Sequence, residues 1–261
     1  LFILVMLFGF SYTIYTIFRQ KKLSDIKNDF INNMTHEFKT PIATISLATD
    51  AVNSPAVSKN TESVHRYMNI IKEENQRMHK HVENILQLAL FDRKHINLNL
   101  VEFDIHEMIQ KAIEQIKLQV EVKGGKIETN LNAAQYHLLG DYDFIFNSII
   151  NLLDNAIKYT PANPIISIAT ENIQNNIRLL ISDNGIGMSR EVQKNIFEKF
   201  YRAGTGNIHD VKGYGIGLSI VKAIAHAHNG EIKVLKSIKG VGTTMELLLP
   251  LNLHKAKRKS N

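Results

Sequence analysis

A chain of 261 residues is long enough for one or two domains with their own cores, and the absence of Cys excludes a disulfide framework and any thiolate metal site. The net charge of +6 and a pI of about 9.3 raise nucleic acid and anionic membranes as partners. The bases, however, gather at Arg19, Lys21 and Lys22 and again at Lys255, Lys257, Arg258 and Lys259, with no interleaved aromatic residues, so no nucleic-acid partner is expected.

Residues 1–18 are nearly all apolar, broken only by Gly9, Ser11, Thr13 and Thr16. That length just reaches a membrane-spanning helix. No small-residue cleavage site follows, and bases do, which argues against a signal peptide. A buried helix of a soluble protein rarely lacks every charge. Tyr12, Tyr15 and Phe18 crowd the far end before Arg19, Lys21 and Lys22, which places the following chain in the cytoplasm. Residues 1–18 are therefore expected to cross the cell's inner membrane. Because the chain opens on Leu1 rather than Met, it is expected to be part of a longer protein.

From Ser24 the pattern turns amphipathic, with Ser24 or Asp25 as cap and a helix expected to about Ala51. It carries His36-Glu37-Phe38-Lys39-Thr40-Pro41. Imidazole is a good nucleophile when one ring nitrogen is free and the other is held by a hydrogen bond, which the neighbouring Glu37 can supply. Thr40 returns one turn above His36 on the same face. Pro41 removes a backbone donor and should bend the helix just past the site. Phe30, Met34 and Phe38 share another face, so His36 should point to solvent. Asn53-Ser54-Pro55 reads as a turn, and a second helix begins near Thr61. Its apolar positions Val64, Met68, Ile71, Met78, Val82, Ile85 and Ala89 form a heptad seam crossed by Asn75. Two such helices cannot bury both faces alone, whereas two hairpins paired as a four-helix bundle can, so a homodimer is expected.

After Arg93 the composition shifts. Alternating Leu98, Leu100 and Val101 precede Asp104, which can cap a helix to about Val122, and Gly124-Gly125 is a turn. Strands are expected at Ile127–Leu131 and His137–Leu139, then a helix from Asp141 to Tyr159. Strands at Ile165–Thr170 and Ile177–Ser182 flank the turn at Asn175-Asn176. Helices at 189–200 and 217–228 and strands at 231–236 and 243–249 complete the pattern. The spacing predicts an α/β sandwich, one sheet with helices on one face, ahead of a disordered basic tail.

Four stretches of this second region carry chemistry. Asn151, Asn155 and Lys158 fall at i, i+4 and i+7, one stripe of a helix; amide oxygens suit Mg²⁺ and the lysine suits phosphates. Asp183-Asn184-Gly185-Ile186-Gly187 ends an apolar strand, where a carboxylate can accept from an exocyclic amine and glycines let a base approach the backbone. Phe197-Glu198-Lys199-Phe200-Tyr201-Arg202 ends on an arginine able to reach a phosphate. Gly213-Tyr214-Gly215-Ile216-Gly217-Leu218 opens a helix, a ready anion site, yet matches neither a Rossmann fingerprint nor a Walker A loop. Taken singly, each has a bland alternative: a polar helix face, a tight turn, aromatic packing, a flexible loop.

In order and spacing the four resemble the N, G1, F and G2 boxes of the histidine-kinase ATPase domain, whose fold is shared with gyrase-type, Hsp90-type and mismatch-repair ATPases. The hexapeptide at His36, preceded by Asn33-Met34-Thr35, resembles the H-box of sensor histidine kinases of two-component systems. The resemblance covers about residues 24–250, and Gly240 to Thr244 is similar to the final glycine-threonine segment of the fold. One departure is that no signal-relay module is recognisable between Arg19 and Ser24. Together with the apolar run and the basic end, which lie outside it, the resemblance gives an expected layout of a membrane helix over 1–18, a dimerisation and phosphotransfer domain over 19–96, an ATP-binding domain over 97–251 and a basic tail over 252–261. It implies that Asn151 and Asn155 hold Mg²⁺, that Lys158 and Arg202 contact phosphates, and that Asp183 reads adenine with Gly185, Gly187, Tyr159 and Thr243 around the base. Gly213, Gly215 and Gly217 would hinge a lid over 203–212. His36 would take the γ-phosphoryl group of ATP, assisted by Glu37, and pass it to an aspartate of a response regulator, while Thr40 would serve in dephosphorylating that regulator. Two other readings are a conformational ATPase of the same fold and a catalytically dead dimerising scaffold.

Overall fold

The computed structural model describes residues 2–92, 97–202 and 215–252, without the side chains at 22, 23, 29, 30, 33, 80, 81, 84 and 87–92. Phe30, Asn33, Ala89, Arg93, the lid over 203–212 with Gly213, and the basic tail therefore fall outside the described side chains or segments. The chain divides into two compact units, Leu1–Gln87 and Leu88–Asn261, each taken by itself below.

The first unit is helical. Helix α1 runs without a break over Phe2–Asn53, so the start expected at Ser24 or Asp25 does not exist. No Gly or Pro lies between Arg19 and Asp25 to stop the apolar helix from continuing into the amphipathic one. Its stretch Phe2–Asn28 is long and apolar enough to cross a membrane, and none of its described side chains is buried within the structure. The helix continues through Pro41, which lies inside it. The turn expected at Asn53-Ser54-Pro55 is drawn out by a helical turn, α2 (Pro55–Ser58), before α3 (Thr61–Asp92). Along the heptad seam of α3, Val64, Ile71, Met78 and Ile85 are half-buried, whereas Met68 is 52% and Val82 44% exposed.

The second unit is an α/β sandwich. Its elements are β1 (Leu100–Asp104), α4 (Ile105–Val122), β2 (Lys126–Leu131), β3 (His137–Asp141), α5 (Tyr142–Lys158), β4 (Ile165–Ile173), β5 (Asn176–Asp183), α6 (Arg190–Asn195), α7 (Gly217–Ala227), β6 (Glu231–Ile238) and β7 (Gly242–Pro250). The strands make a five-stranded sheet, order β2-β4-β5-β7-β6, and not one sheet but a second, two-stranded β1-β3 pair as well. Only β2 and β4 run parallel in the larger sheet. Asp104 caps α4 by accepting from His106 and Glu107 amides, and Asp141 caps α5 through Phe144 N. The apolar stripes of α4, α5 and α7 and the inward residues Ile166, Ile168, Ile177, Leu179, Ile181 and Leu247 form the core. Burying each such side chain contributes roughly 1.5–3 kcal/mol.

One buried imidazole ties two of these helices together. His228, 1% exposed, follows the last turn of α7. Its Nε2 accepts from Asp141 N at 2.9 Å at the start of α5, so its proton sits on Nδ1, which donates to Ile224 O at 2.8 Å. Burial pulls this imidazole below its ordinary pKa, against the opposing pull of the Ile224 hydrogen bond and the Asp141 charge.

Candidate functional site

In the first unit, His36 and Thr40 are both exposed on one face of α1, as the helical period requires. Thr40 Oγ1 donates back to His36 O at 3.3 Å, a bond that Thr35, Thr44 and Thr49 repeat along the helix. It is a general habit of threonine in helices and leaves the Oγ lone pairs facing water. The Glu37 carboxylate meets Arg77 of α3 at 3.8 Å, and Arg77 also lies 3.7 Å from Glu74. Among the described residues no hydrogen bond joins Glu37 to the His36 ring, so the hold expected on the imidazole is not made in this conformation. Consecutive helical side chains diverge by about 100°. A half-exposed ion pair at this distance is weak, so the carboxylate can leave Arg77 at little cost.

In the second unit, the amphipathic pattern of α5 leaves Asn151, Asn155 and Lys158 half-buried on one stripe while Leu152, Leu153, Ala156 and Ile157 are buried opposite. Gly217 opens α7 directly against this stripe: a Cβ there would stand 3.3 Å from Asn151 Oδ1. The end of α5 is tied down by Thr160 Oγ1 donating to Ala156 O and by Lys123 Nζ donating to the carbonyls of Ile157 and Thr160 at 2.7 and 3.1 Å. A cation on the last carbonyls suits the negative end of the helix dipole. Lys158 Nζ stands 5.3 Å from the Tyr159 ring centroid.

Asp183 is the last residue of β5. Its Oδ1 accepts from Gly185 N at 2.8 Å and Thr243 N at 3.2 Å. Among the described residues Oδ2 has no hydrogen bond, and it is open to an incoming donor. Desolvation raises the pKa of this carboxyl, partly offset by the two amide donors. Gly185 carries the chain back over the end of α5, where Ile186 N donates to Tyr159 O at 3.0 Å. Gly187 has φ +62, and a Cβ on it would collide with the Ile238 carbonyl, so only glycine fits. Thr243 is anchored by Ser237, whose hydroxyl lies 2.9 Å from Thr243 Oγ1 and accepts from Met188 N at 2.8 Å.

The structure thus brings Asp183, Gly185, Tyr159 and Thr243 into one cluster, sets Asn151 beside Gly217, and sets Gly215 beside Arg202, whose Cγ would be 3.0 Å from a Gly215 Cβ. Arg202 also faces Tyr159 closely enough to oppose the rise that desolvation gives its phenol. That residue is 40% exposed, so solvent screens the effect. Helix α6 stops at Asn195, five residues short of the expected end, and the chain continues in turns to Phe200, which takes a left-handed φ of +65. Thr160, Ser237 and Lys123 were not among the expected site residues. Thr160 closes the Asn151–Lys158 stripe and could have been found there; Ser237 and Lys123 carry no local signal, since their partners lie far away in the chain. Among the described residues no three His, Asp or Glu converge as metal ligands, so a divalent cation here would rest on amide oxygens.

Residues 26–94 match the His Kinase A (phospho-acceptor) domain, and residues 140–253 match the histidine kinase-, DNA gyrase B- and HSP90-like ATPase family. The chain belongs to the sensor histidine kinases. Sensor protein RprX of Bacteroides fragilis is a relative 45% identical over 253 residues, 96% of this chain and 49% of RprX. The chain spans about half the length of the curated relatives it matches. Among solved structures, the histidine kinase ThkA in complex with the response regulator protein TrrA shares the fold at a TM-score of 0.61 and 23% identity, over 91% of this chain and 65% of that one. Full-length ShkA in complex with AMPPNP does so at 0.63 and 22%, over 85% of this chain and 45% of that one. With the family, the expected layout holds: an apolar N-terminal helix, a helical phospho-acceptor region and an α/β ATPase domain.

Proposed function

We propose that the chain autophosphorylates on His36 from Mg-ATP and passes the phosphoryl group to an aspartate of a response regulator. The reading is carried by Asp183. A strand-end carboxylate with Oδ1 spent on two backbone amides and Oδ2 unspent is a preformed acceptor for one exocyclic amine. Next to it the chain turns on Gly185 and Gly187, where a Cβ would collide with the carbonyls of Tyr159 and Ile238. ShkA, which shares the fold, was solved in complex with AMPPNP, and this supports a nucleotide as the ligand.

In this reading Asp183 accepts from the adenine amine and Thr243 N–H keeps the carboxylate oriented. Lys158 and Arg202 neutralise phosphate charge, and Gly213, Gly215 and Gly217 let the lid close over the triphosphate. Asn151 and Asn155 would hold a Mg²⁺ ion through their amide oxygens, and the ion would supply charge neutralisation for the phosphates. A ring nitrogen of His36 attacks the γ-phosphorus; the N–P bond forms as the bond to the β–γ bridging oxygen breaks, and ADP leaves. Glu37, released from Arg77, takes the proton or a hydrogen bond from the other ring nitrogen. Transfer of this kind asks mainly for positioning and charge neutralisation. Thr40 orients a water for attack on the regulator's aspartyl phosphate.

The regulator partner is supported by the ThkA–TrrA complex. A homodimer is supported by the uncovered seam residues Met68 and Val82. The boundaries proposed are a span over 1–18 in the inner membrane, with the phosphotransfer domain (19–96), the ATP-binding domain (97–251) and the tail (252–261) in the cytoplasm. Incubating the purified chain with γ-labelled ATP tests the proposal. Wild type should take up acid-labile, base-stable label, and His36→Gln should take up none while ATP affinity stays within about twofold. Label surviving on another residue overturns it, and ATP turnover with no protein label points instead to a conformational ATPase.

A further inference from the structure

Away from the nucleotide cluster, α6, α7 and the edge strand β6 wall an open cleft of about 580 Å³. Arg190 and Lys194 of α6, Lys222 of α7 and Lys233 of β6 line it, against a single acid, Glu231. The Lys233 ammonium is engaged by Glu246 at 2.7 Å. Among the described residues Arg190, Lys194 and Lys222 have no ion pair, whereas Lys111, Lys117 and Lys126 elsewhere in this unit each have one. Phe197 and the buried Ile232 add apolar surface to the lining. Among the described residues β6 has no neighbouring strand on its outer side, so a row of backbone donors and acceptors is left along that edge of the strand that lines the cleft.

Lysines on an edge strand can serve only to keep other strands away. That explains Lys233 and Lys236, which lie on β6, but not three unpaired cations on two helices lining the same concavity. The chain's own C-terminus cannot fill it, because Lys255, Lys257, Arg258 and Lys259 carry the same sign. A flat layer of lipid headgroups does not enter a concave cleft. We propose that the cleft docks an acidic, extended segment of a partner protein, with carboxylates on Arg190, Lys194 and Lys222, backbone along β6 and an apolar side chain on Phe197.

The test uses the full chain in nanodiscs of uncharged lipid and a fluorescein-labelled Glu-Val-Glu-Val-Glu-Val peptide, followed by anisotropy. The peptide should bind, weaken as salt rises, and bind at least tenfold more tightly than its Lys-Val counterpart. The triple variant Arg190→Glu/Lys194→Glu/Lys222→Glu should lose at least tenfold in peptide affinity with ATP affinity unchanged. Lys222→Gln alone, at a half-buried helical position, should lose about threefold, which keeps the test decisive if the triple variant does not fold. Equal affinity for the two peptides, or no loss in Lys222→Gln, overturns the proposal. So does variant-sensitive binding of tripolyphosphate or of phosphatidylglycerol vesicles by a chain that ignores the acidic peptide.

Discussion

Replacing Asp183 by Asn isolates the recognition of the base from the integrity of the fold. The amide oxygen of Asn can keep both bonds that Asp183 Oδ1 now accepts, from Gly185 N and Thr243 N. Its Nδ2 then takes the place of Oδ2 and offers a donor where adenine also offers one. The loss is one charge-assisted hydrogen bond, about 1.5–3 kcal/mol, which is about ten- to a hundredfold in ATP affinity. Guanine presents an acceptor at the same position, so the ratio of ATP to GTP affinity should fall further than ATP affinity alone. Stability should move the other way. Burial raises the Asp183 pKa, so the folded state holds this proton more tightly than the unfolded chain. The stability this gives is present below the ordinary value of 3.8 and is lost as pH climbs through the raised folded value. The variant has no such loss, so without nucleotide its melting temperature should gain on wild type between acid and neutral pH. Calorimetric titration with both nucleotides and melting curves across that range measure the two effects. Unchanged ATP affinity with an unchanged ATP-to-GTP ratio refutes the assignment of Asp183, and a melting temperature several degrees below wild type at all pH values refutes the claim that the fold is untouched.

Gly187→Ala should cost at least about 2 kcal/mol by urea denaturation, since the left-handed backbone alone costs roughly 1–2 kcal/mol and the new Cβ meets the Ile238 carbonyl. The folded-state pKa of His228 is depressed, so its contribution is present above 6.5 and lost as pH falls below that value. His228→Gln should therefore lower the stability at neutral pH yet flatten its decline on acidification, as read by melting temperature from neutral to mildly acidic buffer. Thr40→Ala should keep His36 autophosphorylation within about twofold and slow phosphate loss from the regulator severalfold, measured separately; equal loss of both activities makes Thr40 structural.

What could be read in advance was what repeats with a local period. The stripe Asn151, Asn155 and Lys158 follows from helical spacing, and Asp104 and Asp141 sit as caps where an acid precedes an apolar run. Asp183 falls where an apolar strand meets glycines, and there it is. Features made by distant segments were not legible. The antiparallel partnership of β1 with β3, apart from the larger sheet, joins Leu100 to Asp141 across the whole of α4 and β2. The Glu37–Arg77 pair depends on hairpin register. The short α6 was hidden by the apolar spacing of Phe197 and Phe200, which reads as helix although Phe200 turns left-handed. The unbroken α1 was missed because Ser24 and Asp25 look like caps, while residues of ordinary helical propensity gave the chain no reason to stop.

That continuity has a mechanical meaning. Phe18, at the end of the apolar stretch, and His36 are 18 residues apart on one helix. At about 3.6 residues per turn this is five complete turns, and at about 1.5 Å per residue it is roughly 27 Å of shaft. The imidazole therefore shares its azimuth with the aromatic residue at the membrane end. With no swivel between them, turning the apolar stretch by some angle about its axis turns His36 by the same angle. A push along the axis likewise arrives undiminished, so twist and thrust at Phe18 are the coordinates in which His36 moves.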